Sequence, residues 1–160
     1  MKIVPLSLEF YEEKYRRQLE EYLLSDEQLY YTSTPLDALE KCLTEEDRHP
    51  IVILNDGMVA GFFILHGWEG VKSYSDNKEA ILMRAYSIQH PFQGQGIGRK
   101  SLEQLVPFVK KHFPAKKEVI LAVNVKNTRA QYVYQKAGFA ETGRRVMGPK
   151  GEQIILSRKV

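Results

Sequence analysis

With 160 residues, 43% of them apolar and 27% charged, the chain has the length of one domain and enough apolar side chains for a core, which excludes disordered, collagen-like and coiled-coil classes. A formal charge of +3 is too small to argue for nucleic acid yet would not repel a small polyanion, and Cys42, the single cysteine, forbids an intramolecular disulfide and fits a reducing compartment. No apolar run approaches the ~18 residues of a membrane span, and the N-terminal Met1-Lys2-Ile3-Val4-Pro5 lacks a long apolar region, so a cytoplasmic domain over residues 1–160 is expected, with neither membrane nor nucleic acid as partner.

Ile3 and Val4 read as a short strand ended by Pro5. From Ser7 as N-cap, Leu8, Tyr11, Tyr15, Leu19, Tyr22 and Leu23 recur at helical spacing and predict an amphipathic helix. Ser25 to Ser33 has no clear period, and its adjacent Tyr30 and Tyr31 are candidates for packing or for lining a substrate pocket. Thr34-Pro35 followed by Leu36, Leu39 and Leu43 predicts a second helix, with Thr34 as cap, Pro35 at the first position and Asp37 in the first turn.

Pro50–Leu54 and Met58–His66 flank Asn55-Asp56-Gly57 and predict a hairpin. Both runs are apolar at nearly every position, which predicts helices over both faces of the sheet. Gly67 to Lys78 reads as a loop before a strand from Glu79 to Ile88, and a helix from Gly98 to Phe113 should kink or lose a hydrogen bond at Pro107. Glu118–Val123 is a further strand, followed by a helix through Ala130, Tyr134 and Ala137 that Gly138 caps. Gln153–Arg158 is a last strand, preceded by the turn Gly148-Pro149-Lys150-Gly151 and paired with the stretch after Phe139. Strand, helix, strand, helix argues for a parallel pair beside the antiparallel hairpin, hence a mixed sheet.

The turn Gln93-Gly94-Gln95-Gly96-Ile97-Gly98 leads from a strand straight into a helix, with Arg99 and Lys100 beside it. Such a turn aims unpaired N–H groups at the positive end of a helix and suits a phosphate or pyrophosphate. A Walker loop requires lysine directly after the last glycine, and a dinucleotide fingerprint requires a third glycine three positions after the second; Arg99 occupies both places, so both motifs fail. What remains is Gln93-x-x-Gly96-x-Gly98, and downstream Asn127-Thr-Arg-Ala130-Gln-Tyr-Val133-Tyr134-Gln-Lys136-Ala-Gly138-Phe139. Together these resemble the GCN5-related N-acetyltransferase (GNAT) family, most clearly over residues 50 to 140. The resemblance implies an α/β (α+β) fold: one mixed, mostly antiparallel sheet with helices on both faces, splayed between strands 4 and 5, where acetyl-coenzyme A lies.

Carried onto this chain, the resemblance puts the pyrophosphate on backbone N–H groups of Gln93, Gly94, Gln95, Gly96, Ile97, Gly98 and Arg99. Ile88 would pair its backbone with the pantetheine arm and supply the oxyanion donor, and Asn127 would bond the same arm, although a plain N-cap role fits it equally. Spacing alone reads Tyr134 as a core tyrosine stacked over Ala130 and Gly138, whereas the resemblance aims its hydroxyl at the coenzyme A sulfur. Tyr132, about 200° further round the helix, cannot share that role. The reaction implied is direct attack of a neutral amine on the acetyl thioester through a tetrahedral intermediate.

No residue declares itself the general base. Glu69, Asp76, Glu79 and Tyr86 are candidates beside a water chain, and Arg84, assigned with Tyr86 to the face of Ile88, is a candidate for a substrate carboxylate. His49, His66, His90 and His112 lack metal-ligand spacing, so no metal is expected. Leu82-Met83-Arg84-Ala85-Tyr86-Ser87-Ile88 ahead of the glycines resembles the spermidine/spermine acetyltransferases more weakly, and Glu12, Glu13, Glu20, Glu21, Asp26 and Glu27 would supply carboxylates for a polycation or simply a solvated helix face. Aminoglycosides, amino acids and protein N-termini stay open as acceptors, a homodimer is allowed, and the rival class is a coenzyme A-binding sensor without turnover.

Overall fold

Leu6, Leu8 and Phe10 alternate with Ser7 and Glu9, and this period of two decides the first element of the computed structural model, which describes residues 6–160. Leu6–Phe10 is strand β1, antiparallel to β2 (Arg48–Asn55), with Leu8 buried. The helix expected from Ser7 therefore starts late. A 3-10 turn at Glu13–Tyr15 leads into α1 (Arg16–Glu20), and Tyr15 and Leu19 form its buried side. The strand expected at Ile3 and Val4 lies outside the described residues.

The aperiodic stretch after Ser25 contains α2 (Asp26–Tyr31), held by a capping box in which Ser25 Oγ accepts from the Gln28 N–H and Gln28 Oε1 accepts from the Ser25 N–H. Helix α3 (Pro35–Cys42) starts as predicted, with Thr34 Oγ1 accepting from the Asp37 N–H. β2 and β3 (Met58–His66) form the predicted hairpin through Asp56 and Gly57, whose φ angles of 53° and 81° give the turn that suits right-twisted strands. The expected loop after Gly67 holds one helical turn, α4 (Trp68–Val71). Then follow β4 (Ala80–Ile88), α5 (Ile97–His112), β5 (Glu118–Asn124), α6 (Thr128–Lys136), β6 (Ala140–Gly148) and β7 (Gly151–Lys159). Helix α5 continues through Pro107, which has no N–H to offer the Glu103 carbonyl.

The strands of the described residues form one seven-stranded sheet in the order β1-β2-β3-β4-β5-β7-β6. Only β4 and β5 run parallel. The all-apolar strands are buried on both faces, as their pattern requires. On one side Phe63, Leu65 and Met83 pack under Leu102, Leu105 and Val109 of α5. On the other, α1 and α3 cover Val52, Phe62 and Ile64, and α4 covers Ala80, Leu82 and Ile155. No helix of the described residues is long and apolar enough to cross a membrane.

Two irregularities in β4 position everything that follows. Its pairing with β5 covers Ala80–Leu82 against Glu118–Ile120 and then stops, so the two strands diverge, as expected of strands 4 and 5. Against β3, Ser87 pairs with Phe62 and Arg84 with Ile64, leaving Ala85 and Tyr86 opposite Phe63 alone. This is a β-bulge, and Ala85 takes a left-handed φ of 56° to make it. Simple alternation therefore fails here: Ile81 and Met83 face α5 before the bulge and Tyr86 and Ile88 after it, which turns Arg84 to the opposite face. The expectation that Arg84 shares a face with Tyr86 and Ile88 is corrected by that extra residue.

Opposite the end of β4, a Cβ on Gly61 would sit 2.8 Å from the Ser87 carbonyl oxygen and 2.7 Å from Ile53 Cδ1. Gly61→Ala should therefore push β4 outward and lower stability by about 1–3 kcal/mol, the range for overpacking, read as a fall in the urea unfolding midpoint; an unchanged midpoint would show that β4 yields there without cost.

Candidate active site

The gap between β4 and β5 widens into a cleft of about 820 Å³, lined by both strands, α2, the glycine turn and the first turns of α5 and α6. That volume suits a cofactor-sized ligand.

At one end lies the glycine turn. Gly94 and Gly96 have φ of 77° and 78°, and Gly96 caps α5 with no side-chain acceptor for the helix's first N–H groups. Ile97, Gly98 and Arg99 thus carry donors without a capping side chain, and no acidic residue stands in the first turn. A Cβ on Gly94 or Gly96 would meet no protein atom within 4 Å, so left-handed φ, rather than crowding within the protein, is what the fold requires there. The geometry is that of an anion cradle, though narrower than expected. Gln93 gives its N–H to the His90 carbonyl at 3.2 Å and its side chain to the Ile88 carbonyl at 3.3 Å, which leaves Gly94 through Arg99. The Gln95 side chain donates to the Pro91 carbonyl and the Arg99 guanidinium pairs with Glu103, so neither side chain serves the cradle in this arrangement. Arg129 and Lys150 also line the cleft. Sequence reasoning assigned them no role, although one lies inside the Asn127–Phe139 motif and the other in the Gly148–Gly151 turn.

Ile88 stands at the strand edge that β5 has abandoned. Gln89 donates its N–H to the Ala60 carbonyl at 2.7 Å, and because backbone groups alternate sides along a strand, the Ile88 N–H and C=O point away from β3. The carbonyl is already taken by Gln28 Nε2 at 2.8 Å and Gln93 Nε2 at 3.3 Å. Of the two backbone groups expected to meet the ligand, the Ile88 carbonyl already has two donors from the chain. Gln28, to which sequence reading gave no role, reaches this edge because the segment leading into α2 is tied to the end of β4: Tyr22 Oη donates to the Ser87 carbonyl and the Leu23 N–H to Gln89 Oε1.

Across the cleft, Asn127 caps α6 by accepting from the Ala130 N–H at 3.2 Å, which leaves its amide nitrogen to donate. The Tyr134 ring packs edge-on against Tyr86 and Phe139, each at 5.9 Å between ring centres. Its ring thus belongs to the core, while its hydroxyl, without a hydrogen-bond partner among the described residues, borders the cleft. Burial, helped by the neighbouring Tyr86, pushes the Tyr134 phenol above its usual value of 10.0, so it is a persistent donor. Tyr132 points to solvent under Lys136, as its helical position requires.

The Tyr86 hydroxyl is engaged within the chain. It lies 2.7 Å from Ser101 Oγ and 3.2 Å from the Gly98 carbonyl, and burial raises its pKa, so it pins the start of α5. Among the other candidate bases, Glu69 pairs with Lys72 and Asp76 with Arg144, and neither these nor Glu79 lines the cleft. Of the acidic residues considered for a polycation only Glu27 lines it; Glu12, Glu20 and Glu21 pair at the surface with Lys14, Arg16 and Arg17. Tyr30 and Tyr31 border the cleft edge to face, with Lys150 over the Tyr30 ring. On the α3 and α4 side, Arg84 donates to His66 Nδ1 at 3.2 Å. Arginine can only donate, so His66 carries its proton on Nε2 and gives it to Asp47 Oδ1 at 3.1 Å. Among the described residues no cluster of three or more His, Cys, Asp or Glu could hold a metal ion.

The family model described as the acetyltransferase (GNAT) family matches residues 10–139. The chain is 41% identical over 152 residues to "Uncharacterized N-acetyltransferase YbbJ" of Bacillus subtilis (strain 168), covering 94% of this chain and 95% of that protein. Among solved structures, aminoglycoside acetyltransferase AAC(6')-Ib in complex with coenzyme A aligns with a TM-score of 0.78 at 18% identity, over 97% of this chain and 95% of that one. Spermidine N-acetyltransferase from Vibrio cholerae in complex with CoA and spermine aligns with a TM-score of 0.71 at 17% identity, over 96% and 95%. At these identities the solved structures speak for the fold.

His66 gives the site a signature in stability. Burial first, then the charges of Arg48 and Arg84, hold its pKa below the usual 6.5. The unfolded chain then binds a proton at a higher pH than the folded one, so this contribution is fully present above pH 6.5 and is lost as pH falls through the lower folded value. Thermal unfolding should show a midpoint that declines below pH 6.5, with a shallower decline in His66→Gln; identical slopes would mean that His66 does not titrate between the two states.

Proposed function

The chain belongs to the acetyltransferase (GNAT) family and is an acetyl-coenzyme A dependent N-acetyltransferase, and from that premise we propose that it acetylates a small primary amine by direct attack within the β4–β5 cleft. The observation that carries this reading is that a free phenol donor on α6, Tyr134, and an outward-pointing N–H on β4, Ile88, border the same gap from opposite walls.

The cofactor's pyrophosphate rests on N–H groups of Gly94 to Arg99, at the positive end of α5, with Arg129 and Lys150 balancing further phosphate charge. The Asn127 amide nitrogen and the Ile88 N–H hold the arm. The amine nitrogen attacks the thioester carbonyl carbon while negative charge on the carbonyl oxygen is met by the Ile88 N–H. The carbon–sulfur bond then breaks and coenzyme A leaves as thiolate, to which Tyr134 donates a hydrogen bond. With the phenol raised above 10.0 and a thiol near ~8.5, full proton transfer from Tyr134 is uphill, so it stabilises the sulfur by hydrogen bonding. The amine's proton leaves through water, since Glu69, Asp76 and Glu79 lie outside the cleft and the Tyr86 hydroxyl is held by Ser101 and Gly98.

Among the described residues Glu27 is the one carboxylate that lines the cleft. This scarcity speaks against a polycation as acceptor, despite the spermidine acetyltransferase among the structural neighbours. A binding-only sensor is disfavoured by the free Tyr134 hydroxyl, which cofactor recognition by backbone would not need.

Tyr134→Phe should lower kcat for thiol release by tenfold or more, on the order of a lost transition-state donor, with the KM for acetyl-coenzyme A little changed; undiminished kcat removes Tyr134 from the mechanism. Gly96→Val, which forces a branched side chain to φ 78° at the cradle, should weaken calorimetric binding of acetyl-coenzyme A by about tenfold or more; unaltered affinity would move the pyrophosphate elsewhere.

A further inference from the structure

On the face of the sheet opposite α5, a second pocket of about 200 Å³ adjoins the cleft, sharing Tyr31, Met83, Arg84, Ala85, Ala122 and Gln153 with it. Its charged lining is Lys41, Arg48 and Arg84, with no carboxylate among the described lining residues. Two features of that lining are unusual for a surface dent. The Arg48 side chain is only 9% exposed, and its Nε is buried without a hydrogen bond: Glu45 Oε2 lies 3.0 Å away but out of line. Arg84 is turned here by the Ala85 bulge and held there by His66, whose other nitrogen is anchored on Asp47.

Two guanidinium groups are thus gathered on one small, partly buried pocket, where their like charges oppose each other. Such an arrangement is costly when empty and favourable once an anion sits between them. Neither nearby carboxylate sits in the pocket: Glu45 offsets the Arg48 charge from outside the lining, and the Asp47 oxygens are engaged by His66 Nε2 and the Glu69 N–H. The planar fork of arginine matches a carboxylate with two parallel hydrogen bonds. We propose that this pocket binds a carboxylate of the amine acceptor, with Arg84 and Arg48 as its donors, so that the substrate is a small amino acid-like amine. The inference rests on the acetyltransferase reading above and names its acceptor class. The volume accommodates the head of an amino acid rather than an aminoglycoside, and Ala85, three residues before Ile88 on β4, lines both cavities.

The test is thiol release from acetyl-coenzyme A with matched acceptors: alanine and β-alanine against ethylamine, together with spermidine, kanamycin and O-phosphoethanolamine. The wild-type protein should favour a carboxylated amine over ethylamine by tenfold or more in kcat/KM. In Arg84→Gln and Arg48→Gln that ratio should collapse by about 10- to 100-fold. Because the readout is a ratio within each preparation, loss of folded protein cancels. Equal use of the matched amines, or preference for spermidine, kanamycin or O-phosphoethanolamine, overturns the carboxylate pocket while leaving the acetyltransferase reading intact. Absence of thiol release with every amine would count against that reading instead, and the pocket is then read by calorimetry on coenzyme A-saturated protein. Binding of N-acetylalanine but not N-ethylacetamide, abolished in Arg84→Gln, supports the proposal; equal binding or none overturns it.

Discussion

Three residue pairs join β4 to β5, and the parting of the strands beyond Leu82 and Ile120 is the constraint from which the site follows. Each strand keeps a partner on its outer side, β3 for β4 and β7 for β5, so the sheet stays continuous while the inner edges lose theirs. Backbone groups on a buried edge need partners. Gln28 and Gln93 answer for the Ile88 carbonyl, and the Ile88 N–H faces the gap. A donor unoccupied by protein at the bottom of a cleft is a direct product of strands that cease to pair.

The bulge at Ala85 is the second determinant, because one extra residue assigns neighbours to opposite faces. Tyr86 is sent towards α5, where its hydroxyl holds Gly98 and Ser101 and so fixes the helix start beside the glycine turn. Arg84 is sent the other way, to His66 and Arg48. The face that carries the anion cradle and the face that carries the guanidinium pair thereby meet at the same stretch of β4. A left-handed alanine is uncommon and costs conformational energy; here the strain lies where the two cavities adjoin.

Electrostatics at the site are those of donors. Tyr22, Tyr86 and Tyr134 all have phenols raised by burial and stay protonated, the helix start presents N–H groups, and the charged lining is mostly cationic. A net charge of +3 hides this, because most of the acidic side chains lie outside the cleft, Glu12, Glu20 and Glu21 among them paired with basic neighbours at the surface. The local distribution, more than the total, matches an anionic cofactor and an acidic acceptor group.

The amino-acid sequence by itself determined the features encoded by contiguous residues. The Thr34-Pro35 cap, the Asp56-Gly57 hairpin, the glycine turn into α5 and the opposed directions of Tyr132 and Tyr134 follow from local backbone preferences and helical rotation, which need no distant partner. Only the tertiary structure decided the rest. Leu6–Phe10 satisfied a strand period and shared Leu8 with a helical one, and pairing with β2 selected the strand. Alternation predicted one face for Arg84, Tyr86 and Ile88, and a bulge defined against Phe63 divided them. Arg48 and Arg84 lie on different strands, with nothing in their separate neighbourhoods to mark a shared pocket; it is the closing of β2, β3 and β4 into one sheet that brings the two charges together.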